Sequence, residues 1–153
     1  MGTQQMLMII LAIIIIGISV TVGIRFYDTH NNNNLRQEMS IEIKELAQNA
    51  QLFYMRPVAQ IGLGSKAIIA EADLGIFYEH FEVTGSTDAI ETMNAEYKLD
   101  LATGDSLILK ISAVAKANDK IILTAVVDLK GLKGDKGLKI KHSASSATDY
   151  PTF

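Results

Sequence analysis

The sequence contains no cysteine, which excludes disulfides, zinc–thiolate centres and thiol nucleophiles. Its two prolines are Pro57 and Pro151, so no proline interrupts the first 56 residues. Charge is missing from the first part of the chain: no Asp, Glu, Lys or Arg precedes Arg25. The net charge of −3 offers no concentrated positive field for a phosphate backbone, and no nucleic-acid partner is expected. Motifs of catalysis are absent too, with no Gly-rich phosphate loop, HExxH or nucleophile elbow. The three histidines, His30, His80 and His142, share no spacing. In "EHFE", His80 and Glu82 would share one face of a strand, but two ligands are too few for a metal site. "GDKG" has one carboxylate and reads as a turn. No catalytic residue, metal or cofactor is expected, and the chain does not read as an enzyme.

What is present begins with "MLMIILAIIIIGISVTVGI". From Met6 to Ile24 the chain is uncharged, and nineteen helical residues at 1.5 Å each span about 28 Å, close to the thickness of a bilayer's hydrocarbon layer. A cleaved secretory signal fits less well than an anchor. It would need a basic leader, a shorter apolar stretch and a small-residue cleavage site, whereas "IRFYDTH" follows. Arg25 lies on the wrong side of the run to orient a periplasm-facing domain by the positive-inside rule.

Helical periodicity continues beyond the run. Leu35, Met39, Ile43, Leu46, Ala50 and Phe53 recur at steps of three and four, the stripe of an amphipathic helix. Arg36, Glu38, Glu42, Lys44 and Glu45 are assigned to other angles, and Arg56-Pro57 supplies the stop. One helix from Thr3 to Met55 would measure roughly 80 Å. Gly17, Gly23 and Asn31–Asn34 are its weak places, and the asparagines allow a bend or a polar linker.

After Pro57 the pattern changes. "VAQIGLGSKAIIAEADLG" reads as a glycine-punctuated loop with at most one short strand. Asp88 and Glu91 resemble a capping box that opens a brief helical turn in "DAIETMN". Strands follow, with Tyr97, Leu99 and Leu101 on one face of the first. Leu107, Leu109, Ile111 and Ala113 align in the second; Ile121, Leu123, Ala125, Val127 and Leu129 align in the third. "ATGD" and "KAND" suggest hairpins, and "GLKIKH" a last strand after the loop "KGLKGDKG". The expected architecture is α+β: an apolar helix half (1–25), an amphipathic half (26–56) packed on a small antiparallel sheet, and a loop-and-sheet head (57–153).

Charge is uneven along the head. Residues 66–105 carry nine acidic groups against two lysines, and 106–153 eight lysines against four aspartates. Either an acidic surface on one copy meets a basic surface on another, or antiparallel strands interleave both sets on one solvated face. The end, "SASSATDYPTF", reads as a loose tail.

Together these segments resemble a type IV pilin or pilin-like protein across essentially the whole chain. "AQNAQLFYMRP" followed by a glycine loop is similar in particular to pilin-like proteins of Bacteroidetes-type bacteria. The resemblance implies a structural subunit of an extracellular type IV pilus-like filament. Its precursor would sit in the inner membrane, be cut by a prepilin peptidase and be extracted by pilus assembly machinery to join identical subunits. Met6, Leu7, Ile9, Ile10, Leu11, Ile13, Ile14, Ile15, Ile16, Ile18, Val20, Val22 and Ile24 would form the membrane span and later the filament core. The pattern departs at the carboxylate usually found fifth in the mature chain. Gln5 stands there if Met1 is the mature start, or Leu7 if cleavage follows Gly2. Gln4 and Gln5 are therefore the expected N-terminal assembly contacts, through amide bonds that cannot cancel a charge. The alternatives are a single-pass membrane-anchored binding or sensory β-domain, and a pseudopilin of a secretion apparatus.

Overall fold

The computed structural model describes residues 2–66, 69–81, 89–102, 105–130, 137–142, 146–147 and 149–151. Helix α1 runs from Thr3 to Met55. The chain divides into two compact units, 1–34 and 35–153, with α1 contributing to both.

In the first unit every residue from Thr3 to Asn34 is helical, and the side chains of Met6 to Ile24 are exposed on all sides. Asn31–Asn34 form part of the helix and not a turn. Each asparagine costs only about 0.7 kcal/mol relative to alanine, and helix already formed on both sides removes the nucleation cost that would otherwise be decisive.

The second unit is built on one apolar core. Leu35, Met39, Ile43, Ala47, Ala50 and Phe53 of α1 are buried in the cluster that contains Tyr97, Leu99, Leu109, Ile111, Leu123, Ala125 and Val127 of the sheet. Leu46 packs against it partly buried, and Tyr54 widens the buried face. The sheet is an antiparallel meander in the order β1 (Ile90–Glu91), β2 (Ala95–Ala102), β3 (Asp105–Ala115), β4 (Ile122–Asp128) and β5 (Leu138–Lys141). Register places Leu99 opposite Ile111 and Ile111 opposite Ala125, so one face carries the apolar side chains from strand to strand. The architecture is α+β, a long apolar N-terminal helix followed by a five-stranded antiparallel sheet.

The link after α1 departs from a plain loop. A 3₁₀ turn, Val58–Gln60, folds back on the helix end: Gly64 N–H donates to Arg56 O at 2.8 Å and Ser65 N–H to Tyr54 O at 2.9 Å. Helix α2 then spans Glu71–His80, where the sequence suggested loop or strand. Gly75 masked it, but Gly75 faces open space with nothing within 4 Å of a Cβ position. The helix is fixed elsewhere. Asp73 accepts the Ala70 N–H at 3.0 Å, and Phe77 and Tyr78 are buried one turn later. Tyr78 also completes the sheet. Its hydroxyl receives the Leu99 N–H at 2.8 Å and donates to Leu99 O at 3.2 Å, covering the edge of β2 that the two-residue β1 leaves unpaired.

Two further expectations are corrected. Glu91 is in a strand, paired with Glu96, and not in a helical turn, because burying Ile90 opposite Tyr97 outweighs a local cap. His80 is the last residue of α2, not a strand residue, and stacks on Phe53 with centroids 4.4 Å apart. Asp88, Glu82 and Asp135 of "GDKG" lie outside the described residues, as do most of the two loops "ATGD" and "KGLKGDKG". Part of the C-terminal segment is also held. Thr124 Oγ1 donates to Asp149 O at 2.6 Å, Lys141 Nζ pairs with the Asp149 carboxylate, and Lys110 Nζ lies 5.0 Å from the centre of the Tyr150 ring. This contact explains why β4 buries Thr124 and Val126 on the face opposite the core.

Candidate membrane-spanning segment

The candidate site is the stretch Met6–Ile24 of α1, whose residue types satisfy two demands of lipid. Its surface is apolar in every direction, and the most apolar eighteen-residue window of α1 has a mean hydropathy of 3.0 with none of it buried in the protein. Its backbone is helical throughout, so the main-chain polar groups are paired within the segment. The hydroxyls are handled the same way: Ser19 donates to Ile15 O at 2.7 Å and Thr21 to Gly17 O at 2.8 Å. α1 is thus long and apolar enough to cross a membrane. Gly17 and Gly23 have nothing within 4 Å of a Cβ position, leaving two smooth places on an otherwise Ile-rich cylinder.

Gln4 and Gln5 occupy the first turns, exposed, with Gln5 N–H donating to Gly2 O at 3.0 Å. No Asp, Glu, Lys or Arg side chain precedes Arg25, so no ionisable side chain of the segment lies beside either glutamine. Beyond Ile24, Phe26 and Tyr27 are exposed, and Phe26 meets His30 edge-on with centroids 6.0 Å apart.

In the second unit, the sequence stripe and the structure coincide at Leu35, Met39, Ile43, Ala50 and Phe53, with Leu46 partly buried. Glu42 does not sit at an angle away from the stripe. It belongs on the buried side, where its carboxylate accepts hydrogen bonds from Tyr97 Oη, from Thr92 Oγ1 at 2.8 Å and from Asn94 Nδ2 at 2.8 Å. The signal was available, because position 42 is three residues after Met39 and four before Leu46. Burial and then the hydrogen bond to Glu42 push the Tyr97 phenol well above its ordinary value. At the far end of the stripe, Gln51 Nε2 donates to Asp128 O at 2.8 Å. These bonds fix α1 against both β1–β2 and β4, so their chemistry is positional.

The sheet's solvent face mixes charges of both signs. Glu96 pairs with Lys98 at 3.4 Å, Asp100 lies opposite Lys110 in register, and Lys116 pairs with Glu91 at 3.0 Å. Acidic and basic stretches of the sequence are therefore interleaved on these strands. Among the described residues, no group of three or more His, Asp or Glu side chains is placed to hold a metal ion. Comparison of the chain with protein-family models, curated proteins and solved structures finds no match in any of the three.

Proposed function

We propose that the chain is a structural subunit of an extracellular type IV pilus-like filament, held in the inner membrane by Met6–Ile24 before assembly and bundled with identical subunits through the same surface afterwards. One observation carries this reading. α1 supplies a core-buried stripe from Leu35 onward to a folded α+β unit, while the nineteen residues Met6–Ile24 are exposed on every side and none is buried against the described residues. In lipid such a surface gains little by meeting another helix, so close packing at smooth places such as Gly17 and Gly23 governs association. Outside lipid, burying it among copies gains about 25 cal/mol per Å². A head attached to such a helix becomes the outer surface of the fibre. Processing by a prepilin peptidase and extraction by assembly machinery rest on the resemblance to pilins.

Gln4 and Gln5 favour a second reading, a single-pass anchor displaying the β-rich unit, since an amide pair supplies no charge to match a neighbouring amine. Electron microscopy of material sheared from cells, with mass spectrometry of the subunit's N-terminus, separates the two. Filaments containing this chain support the first reading, and retention of all the protein in membranes overturns it. Replacing both glutamines by leucine should lower filament yield or alter helical geometry while leaving membrane insertion intact.

A further inference from the structure

We propose that the face of α1 carrying Phe26, Tyr27 and His30 seats in the headgroup layer of a neutral lipid surface and fixes the depth at which the apolar run ends. The proposal rests on the membrane-spanning reading of Met6–Ile24 and not on filament formation.

Phe26 and Tyr27 are 69% and 72% exposed, as open as any residue of the run, yet their chemistry differs from it. Each presents an aromatic body, Tyr27 adds a hydroxyl, and His30 packs edge-on against Phe26 with an interplanar angle of 81°. Spacings of three and four residues place Gly23, Phe26, Tyr27, His30, Asn31 and Asn34 along one side of the helix. That side therefore grades, over two to three turns, from a bare backbone at Gly23 through aromatic rings to amides. The same gradient from apolar to wet exists across the boundary between acyl chains and headgroups, where amphipathic rings concentrate.

Position along the chain supplies the second argument. The nineteen residues before Arg25 span about 28 Å, so when they fill the hydrocarbon layer the aromatic face falls at its edge. Charge supplies the third: Arg25 and Asp28, three residues apart on this stretch, carry opposite signs. The collar is close to neutral, and the seat is set by its aromatic and hydrogen-bonding character, not by attraction to anionic lipid.

The chain has no tryptophan, so a single introduced indole reports its own depth. Full-length chain carrying Ile15→Trp or Tyr27→Trp is reconstituted into phosphatidylcholine vesicles with bromine on shallow or deep acyl carbons, and fluorescence quenching is compared. The expected result is preferential deep quenching for Ile15→Trp and preferential shallow quenching for Tyr27→Trp. Adding Phe26→Ser and Tyr27→Ser to Ile15→Trp should shift that indole's depth by about one helical turn, roughly 5 Å. Deep quenching at position 15 with no quenching at position 27 overturns the collar and leaves the membrane span standing; no quenching at either overturns the span as well. Shallow quenching that appears only when phosphatidylglycerol is added overturns the neutral seat. Quenching at position 27 that falls as the protein-to-lipid ratio rises assigns the face to a second copy of the chain and also overturns the proposal.

Discussion

Glu42 shows how one side chain can hold a helix to a hairpin. Its carboxylate takes three hydrogen bonds from Thr92, Asn94 and Tyr97, and Tyr97 is fully buried. Tyr97→Phe keeps the ring but withdraws one donor from a partly desolvated carboxylate, and should cost about 1–3 kcal/mol in urea unfolding. Because Thr92, Asn94 and Tyr97 serve one acceptor, double substitutions among them should be non-additive. Linkage gives the alkaline sign. Tyr97 and Tyr150 both have folded-state pKa values raised first by burial, so their contribution is present below the ordinary value near 10 and is lost as pH rises beyond it. Denaturant midpoints above pH 10 should therefore fall less steeply in Tyr97→Phe than in the parent chain. Asp73 has the opposite sign. Its hydrogen bond to Lys66, then that from Ala70 N–H, hold its pKa below 3.8. The contribution is full above the ordinary carboxylate value and is lost as pH falls through the lowered one. Asp73→Ala should cost about 1 kcal/mol at pH 6, and the gap to the parent should close well below pH 3.8.

Elements differ in how openly the sequence declares them. The long strands were legible because alternation over seven or more residues has one physical cause, a sheet with one buried face, and β3 and β4 pair along it without a shift. The stripe of α1 was legible for the same kind of reason. α2 was not, since ten residues interrupted by Gly75 look like a loop until Phe77 and Tyr78 are seen to be buried. β1 was hidden because two residues carry no period, and its pairing depends on Tyr97 and Glu96 further along the chain. Glycines separate these cases experimentally. Gly75→Ala meets open space in a helix and should stabilise by up to about 1 kcal/mol. Gly62→Ala would place a Cβ 2.2 Å from Arg56 O, against backbone that cannot move aside cheaply, and should destabilise by about 1–3 kcal/mol. Thermal midpoints of the two variants should move in opposite directions. Phe53→Ala, which removes a fully buried ring 5.1 Å from that of Phe77, should cost about 3–5 kcal/mol.

At the scale of the whole molecule, the two units pose different physical problems. Among the described residues the buried cluster lies wholly within 35–153, so a chain beginning at Leu35 should unfold in a single cooperative transition in circular dichroism. Loss of cooperativity in that truncated chain would show that the first unit contributes to folding of the second. Among the described residues of the first unit, 2–34, none is buried, and its apolar surface requires another phase or other copies to cover it. Composition and period alone determined the apolar length of Met6–Ile24, the stripe from Leu35 to Phe53 and the class of the fold, because each depends on a local repeat that survives without knowing what lies opposite. Tertiary structure decided that Glu42 serves the core, that Tyr78 closes an open strand edge, and that Asp149–Pro151 lies on the sheet's outer face and is not free. Those outcomes depend on groups brought together from 21 to 55 residues apart in the chain, and no periodicity in the sequence records which distant donor will meet which acceptor.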